Sequence, residues 1–155
     1  MLHRHIRFNR SKNIVVCDKL VGPAVRKGVL FYEHPRVSGM NTLAPSASRD
    51  KWNELRIDMV TIDEYVSQNG CVPDLIKIDV EGAEMGVLTG SKRTLSNLRP
   101  VIFLSVHPRE LRAMGSDVSQ VSEFLAESYY RIYDVDGTDV SNEELTFKEY
   151  ILRPK

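Results

Sequence analysis

The sequence predicts an α/β domain with a mainly parallel sheet that finishes in an antiparallel strand pair. Three observations lead there. Strand and helix patterns alternate over residues 55–125, and residues 75–80 and 101–106 are nearly continuous apolar runs. Two further strands, at residues 130–135 and 147–152, are separated by Asp136-Gly137 and a polar loop. Alternating strands and helices build layered α/β sheets, apolar runs suit strands covered on both faces, and a turn-rich connector suits an antiparallel pair.

A chain of 155 residues can bury one core unaided, so a single domain over residues 1–155 is expected. Lys plus Arg equals Asp plus Glu at 21 each, which removes any overall field that would draw the chain to nucleic acid or acidic lipid. The basic stretch around Arg4, Arg7 and Arg10 reads as a solvated helix face, and no nucleic-acid partner is expected. Cys17 and Cys71 fall in no CxxC or Cys/His spacing, which excludes a zinc or dithiol motif and suits a reducing compartment. No apolar run approaches the roughly 20 residues of a membrane helix, and the first ten residues are too charged for a signal-peptide core. A cytoplasmic protein without a membrane span is the expectation.

In chain order, residues 2–9 suit a short basic helix, and Ile14, Val15, Val16 and Cys17 read as a β-branched strand ending at Asp18. A strand at residues 29–32 precedes a Pro-, Ser- and Gly-containing loop at residues 35–49, expected to be the most mobile region, with Trp52 on its substrate side. Leu55, Ile57 and Met59 alternate with Arg56 and Asp58 as in a half-buried strand. Thr61 with Glu64 forms the pattern of a capping box for a helix striped by Ile62, Tyr65 and Val66, which Gly70 ends. In the strand at residues 75–80, Leu75, Lys77 and Asp79 share one face, with the polar pair nearest the carboxyl end. Met85, Leu88, Leu95 and Leu98 suggest one helix, or two short ones, broken at Gly90. The strand at residues 101–106 delivers His107-Pro108 outside the core, and Asp117 with Gln120 caps a helix striped by Val118, Val121, Phe124 and Leu125.

The segment from Pro73 to Glu84, with Asp79-Val80-Glu81-Gly82-Ala83-Glu84 at its end, closely resembles the FkbM-type methyltransferases, as do Val87 to Gly90 and Arg99 to His107. The resemblance is strongest over residues 58–107 and returns at Tyr150 to Pro154. It implies a Rossmann-like fold and an S-adenosylmethionine-dependent O-methyltransferase acting on a hydroxyl of a sugar, lipid or natural product. The family also has, upstream, a first strand with a Gly-rich turn and a second strand ending in an acidic residue. This sequence has neither, so the resemblance implies an amino-terminally truncated domain missing the first two family strands. Backbone approach to the cofactor and ribose contacts both depend on such elements, so cofactor binding by this chain alone is expected to be weak. An exposed edge left on the strand at residues 75–80 invites self-association. The alternative is a non-catalytic remnant that serves as an interaction module.

Within that resemblance, Asp79 stands where the family would orient the acceptor or the methionine amino group of the cofactor, so it is both a catalytic and a cofactor-binding candidate. Glu81 is a catalytic candidate on the same turn, although the first turn of a helix favours carboxylates in any protein, a reading that applies more strongly to Glu84. His107 is the third catalytic candidate, since imidazole accepts protons near neutrality. Asp18, at the end of an early strand, lies where related folds contact adenine and is a second cofactor-binding candidate; a turn residue explains it equally well. Asp79, Glu81, Glu84 and His107 form an oxygen-rich set of the kind that suits magnesium or manganese, but their spacing matches no specific ligand motif, and no metal is expected.

Overall fold

A computed structural model describes residues 2–34, 43 and 52–155; the loop expected at residues 35–49 lies outside the described residues except for Leu43. The basic helix forms as α1 (Leu2–Phe8). The strand expected at residues 14–17 does not form. Ile14 and Val15 are exposed, and β-branched residues favour a strand only where a pleated, half-buried surface receives them. Pairing begins instead at β1 (Leu20–Val21).

The first sheet joins β1, β2 (Arg26–Glu33) and β3 (Asn53–Val60) in the order β1-β3-β2. β1 runs parallel to β3, with Leu20 opposite Met59, and β2 runs antiparallel to it, with Phe31 opposite Leu55. The register of β2 shifts between Arg26 and Val29, and the Gly28 N–H there donates to Asp58 Oδ1 at 3.0 Å. α2 (Ile62–Asn69) follows at once. Thr61 Oγ1 accepts from the Glu64 N–H at 3.0 Å, while the Glu64 carboxylate takes the Gln68 amide at 2.6 Å, so one half of the expected capping box is made. Gly70 ends the helix at φ +59°, as its placement predicts.

The second sheet contains β4 (Leu75–Ile78), β5 (Val101–Ser105), β6 (Tyr130–Tyr133) and β7 (Glu149–Pro154), in the order β4-β5-β7-β6. β4 and β5 are parallel, and β7 pairs antiparallel with both β5 and β6. Ile76, Ile102, Leu152 and Ile132 align across all four strands. With Ile78 and Leu104 they meet core residues of α3 (Glu84–Thr89), α4 (Lys92–Asn97), α5 (Pro108–Ala113) and α6 (Val118–Glu127). Full burial of each such side chain contributes about 1.5–3 kcal/mol, which makes this face the main source of stability.

The fold is therefore mixed α/β, with two expectations corrected. The sheet is not mainly parallel: among the described residues there are two sheets, and β2, β6 and β7 all pair antiparallel. Apolar patterning along a strand records its burial and carries no information about its neighbour's direction. Nor are β4 and β5 covered on both faces. Leu75 is 54% and Phe103 37% exposed, because the helical core residues pack on the opposite side.

The capping box at Asp117 is complete, and Val118, Val121, Phe124 and Leu125 are all buried as their spacing predicts. Gly90 does more than end a helix. A Cβ there would stand 2.1 Å from the carbonyl oxygen of Gly22, and the Gly90 carbonyl accepts from the Asp63 N–H at 3.0 Å. The segment after β1 thus crosses the α3–α4 junction at backbone contact, which only glycine permits.

Candidate functional site

The carboxyl end of β4 turns sharply into α3 through Asp79, Val80, Glu81, Gly82 and Ala83. The Ala83 N–H closes the turn onto the Val80 carbonyl at 3.2 Å. Glu81 adopts φ +49° and Gly82 φ +102°. A left-handed conformation costs a non-glycine residue about 1–2 kcal/mol, so Glu81 is held there by its surroundings. Gly82 has no substitute, since a Cβ would lie 2.6 Å from the Glu110 backbone of α5.

His107 comes from the end of β5 and occupies the N-cap position of α5, with Pro108 at the first helical position. The sequence reading placed it outside the core, and the structure corrects this: it is only 7% exposed. Pro108 starts a helix directly after the strand, and Glu84 and Phe147 cover the ring. Phe147 packs against the imidazole with ring centroids 5.4 Å apart.

The ring is fixed by Glu84, whose position in the chain marks it only as a carboxylate in the first turn of a helix. Glu84 is fully buried, and its Oε1 lies 2.7 Å from His107 Nδ1 and accepts the Gly82 N–H at 3.1 Å. Glu84 Oε1 and His107 Nδ1 share this hydrogen bond; with the carboxylate ionised, Nδ1 is the donor, since a carboxylate only accepts. In the neutral ring Nε2 then presents a lone pair. It faces Asp79 Oδ1 at 3.7 Å and Glu81 Oε1 at 3.9 Å. Asp79 and Glu81 are about half exposed, so the cluster opens to solvent on their side.

Behind Asp79, Lys77 Nζ stands 3.7 Å from Oδ2, hydrogen-bonds Ser105 Oγ, and reaches Glu149 Oε1 at 3.3 Å. One ammonium thus ties the ends of β4, β5 and β7 together beside the cluster. Asp79, Glu81 and His107, each named from sequence, are brought together. Asp18 is not: it is exposed, precedes β1, and is no member of that group. A cavity of about 530 Å³ adjoins the turn at Gly82 and Ala83 and is lined on its apolar side by Val21, Leu30, Met59, Met85 and Met114.

The model of the methyltransferase FkbM domain matches residues 15–132, most of the chain. The chain belongs to the FkbM methyltransferase domain family. The match is wider than the span of strongest resemblance, extending back to Val15 and forward to Ile132. The fold is similar to the crystal structure of methyltransferase FkbM from Methylobacillus flagellatus KT, with a TM-score of 0.57 and 19% identity. That similarity covers 98% of this chain and 32% of the other, so this FkbM domain spans about a third of that protein's length. No curated protein matches the sequence. Among the described residues no helix is long and apolar enough to cross a membrane.

Proposed function

We propose that this chain is a single Rossmann-like FkbM-type domain, residues 1–155, that transfers a methyl group from S-adenosylmethionine to a hydroxyl of a sugar, lipid or natural product. The observation that carries the reading is the convergence of Asp79, Glu81 and His107 at the end of β4, in a chain of this family. The charge of the cluster fits the cofactor: two half-exposed carboxylates, with Lys77 beside only one of them, suit a ligand that carries an ammonium and a sulfonium. Asp79 would hold the ammonium. When bound, the cofactor supplies an electrophilic methyl group.

The rest of the chemistry falls to the chain. Glu84 holds the imidazole in one orientation and one tautomer, so that Nε2 receives the proton of an acceptor hydroxyl placed between Asp79 and Glu81. Glu81, fixed by its strained backbone, positions that hydroxyl, and positioning supplies much of the rate in a displacement reaction. The apolar cavity beside Gly82 receives the carbon framework of the acceptor. The Gly-rich turn and the acidic strand end of the family do not occur in these residues. We therefore read β4 as the strand that the first family strand would flank, and Asp18 as a minor contact.

The test is formation of S-adenosylhomocysteine across a panel of sugar, lipid and polyketide hydroxyl acceptors. A loss of about 10²–10⁴-fold in His107→Gln, with unchanged circular dichroism, is the expected outcome. Full turnover in Asp79→Asn removes that residue from the mechanism. Absence of turnover with every acceptor, together with no heat on titrating S-adenosylmethionine, favours the interaction-module alternative.

A further inference from the structure

Among the described residues, Asp79, Glu81 and His107 form the group whose ligating atoms converge enough to share an ion, all within 4.8 Å of one another. We propose that these three side chains hold a divalent cation of the first transition row, of the manganese to zinc class. The donor set selects that class. Two carboxylate oxygens alone suit magnesium or calcium, whereas an imidazole nitrogen beside them favours a softer first-row ion.

Carboxylates near one another do not make a metal site; His107 is what sets this cluster apart. Its side chain is more than nine-tenths buried, yet Nε2 is aimed between Asp79 and Glu81 and receives no hydrogen bond from any described residue. The competing explanation is an imidazolium with its second proton on Nε2. Such a proton would draw one carboxylate into hydrogen-bond distance, near 2.7–2.9 Å for a charged pair. Instead Nε2 stands almost equally far from both, at 3.7 and 3.9 Å. Ligands at about 2.1 Å from one ion lie roughly 3.0–3.4 Å apart, so small rotations of two half-exposed side chains complete the site.

The other side of the ring has the matching arrangement. Metal-bound histidines commonly donate their second N–H to a carboxylate, which fixes the tautomer and makes the ligating nitrogen more basic. Glu84 is placed to do this at 2.7 Å, and its second oxygen, Oε2, is buried with no hydrogen-bond partner among the described residues. A fully buried carboxylate with one unsatisfied oxygen gains from positive charge across the imidazole. The open side, formed by Asp79 and Glu81, leaves coordination positions for water or for an oxygen of a ligand.

This inference goes beyond the methyl-transfer reading and competes with part of it, since an ion held by Asp79 and Glu81 would take the place of the cofactor ammonium at Asp79. In the loaded site Nε2 is a ligand, and a hydroxyl bound to the ion is acidified by the ion's charge, so proton acceptance by His107 belongs to the metal-free chain.

The experiment titrates Mn²⁺ alone into the metal-free full chain, followed by calorimetry and electron paramagnetic resonance. Manganese avoids the exposed thiols of Cys17 and Cys71. The expected result is one bound ion per chain, weakened at least tenfold in Glu81→Gln and in Asp79→Asn, and about 10–100-fold in Glu84→Gln, whose carboxylate never touches the ion. Glu81→Gln changes a half-exposed group, so it reports binding even if Glu84→Gln fails to fold. No saturable binding overturns the proposal. So does binding that Glu81→Gln leaves unchanged, or an Nε2 proton still present by nitrogen-15 NMR when Mn²⁺ is replaced by Zn²⁺. Methyl transfer surviving in chelator would leave the first reading standing, and thus separates the two.

Discussion

At the scale of single residues, Glu84 and Glu81 lie on one turn and do opposite things for stability. Glu84 is fully buried against His107, so Glu84→Ala leaves a ring N–H without its partner and a void around it. An unsatisfied buried group costs about 1–3 kcal/mol, and the void adds to it, so a total near 2–4 kcal/mol is expected from urea denaturation. A loss below half a kcal/mol would mean the dyad contributes nothing. Glu81 is the reverse case. It sits at φ +49° with its side chain half exposed, so Glu81→Gly relieves strain and is expected to raise stability by about 1 kcal/mol while weakening the site. Strain that persists because a function needs it has that signature. A destabilised Glu81→Gly protein would show instead that the carboxylate is structural. Asp79, Glu81 and His107 could be picked out in the sequence because they follow two apolar strands within segments that resemble the family's. Glu84 could not, because only the fold of α3 against the end of β5 brings it to the ring.

At the scale of elements, α4 depends on a side chain from another helix. Asp63 of α2 accepts the Arg93 N–H at 3.0 Å, the Thr94 N–H at 2.7 Å and the Thr94 hydroxyl at 2.7 Å. It therefore caps α4 from outside, where Ser91 makes no side-chain cap. Burial raises the Asp63 pKa, but the bonds from Arg93 and Thr94 and the Arg93 charge outweigh it and hold the carboxyl below its usual range. A carboxyl depressed in the folded state stabilises the fold above its unfolded pKa, near 3.9, and that contribution is lost as pH falls through the folded value. Asp63→Asn should accordingly lower stability by about 1 kcal/mol at pH 7 and narrow the gap to wild type below pH 4. A gap that stays constant between pH 7 and pH 3 would exclude an ionised cap. The elements themselves were largely visible beforehand: α2, α6, β4, β5 and the terminal pair follow from apolar period, caps and turn residues. What failed was the strand at residues 14–17, whose β-branched residues found no surface to pack on, and the missing α5, announced only by Pro108. Both errors have one origin, since local pattern states a preference and tertiary contact decides whether it is used.

At the scale of the whole molecule, the second sheet is open on one edge and one face among the described residues. β4 is the terminal strand in the order β4-β5-β7-β6, and Leu75, opposite Val101, and Phe103, opposite Lys77, are exposed. An unpaired edge beside exposed apolar side chains is a template for another strand. Among the described residues β4 pairs only with β5, so its other side can receive the hydrogen bonds of a further strand, and Leu75 supplies the apolar surface. The chain is therefore expected to self-associate in sedimentation velocity runs, with the apparent mass rising with concentration. Leu75→Lys, a substitution on an exposed side chain, should suppress the rise without changing thermal stability. The same geometry predicts weak affinity for S-adenosylmethionine, because the space beside β4 is where a doubly wound sheet would place the strand that carries the phosphate- or cofactor-binding turn. A monomer at every concentration that bound S-adenosylmethionine at micromolar affinity would contradict both statements together, since it would show that β4 needs no neighbour on its open edge.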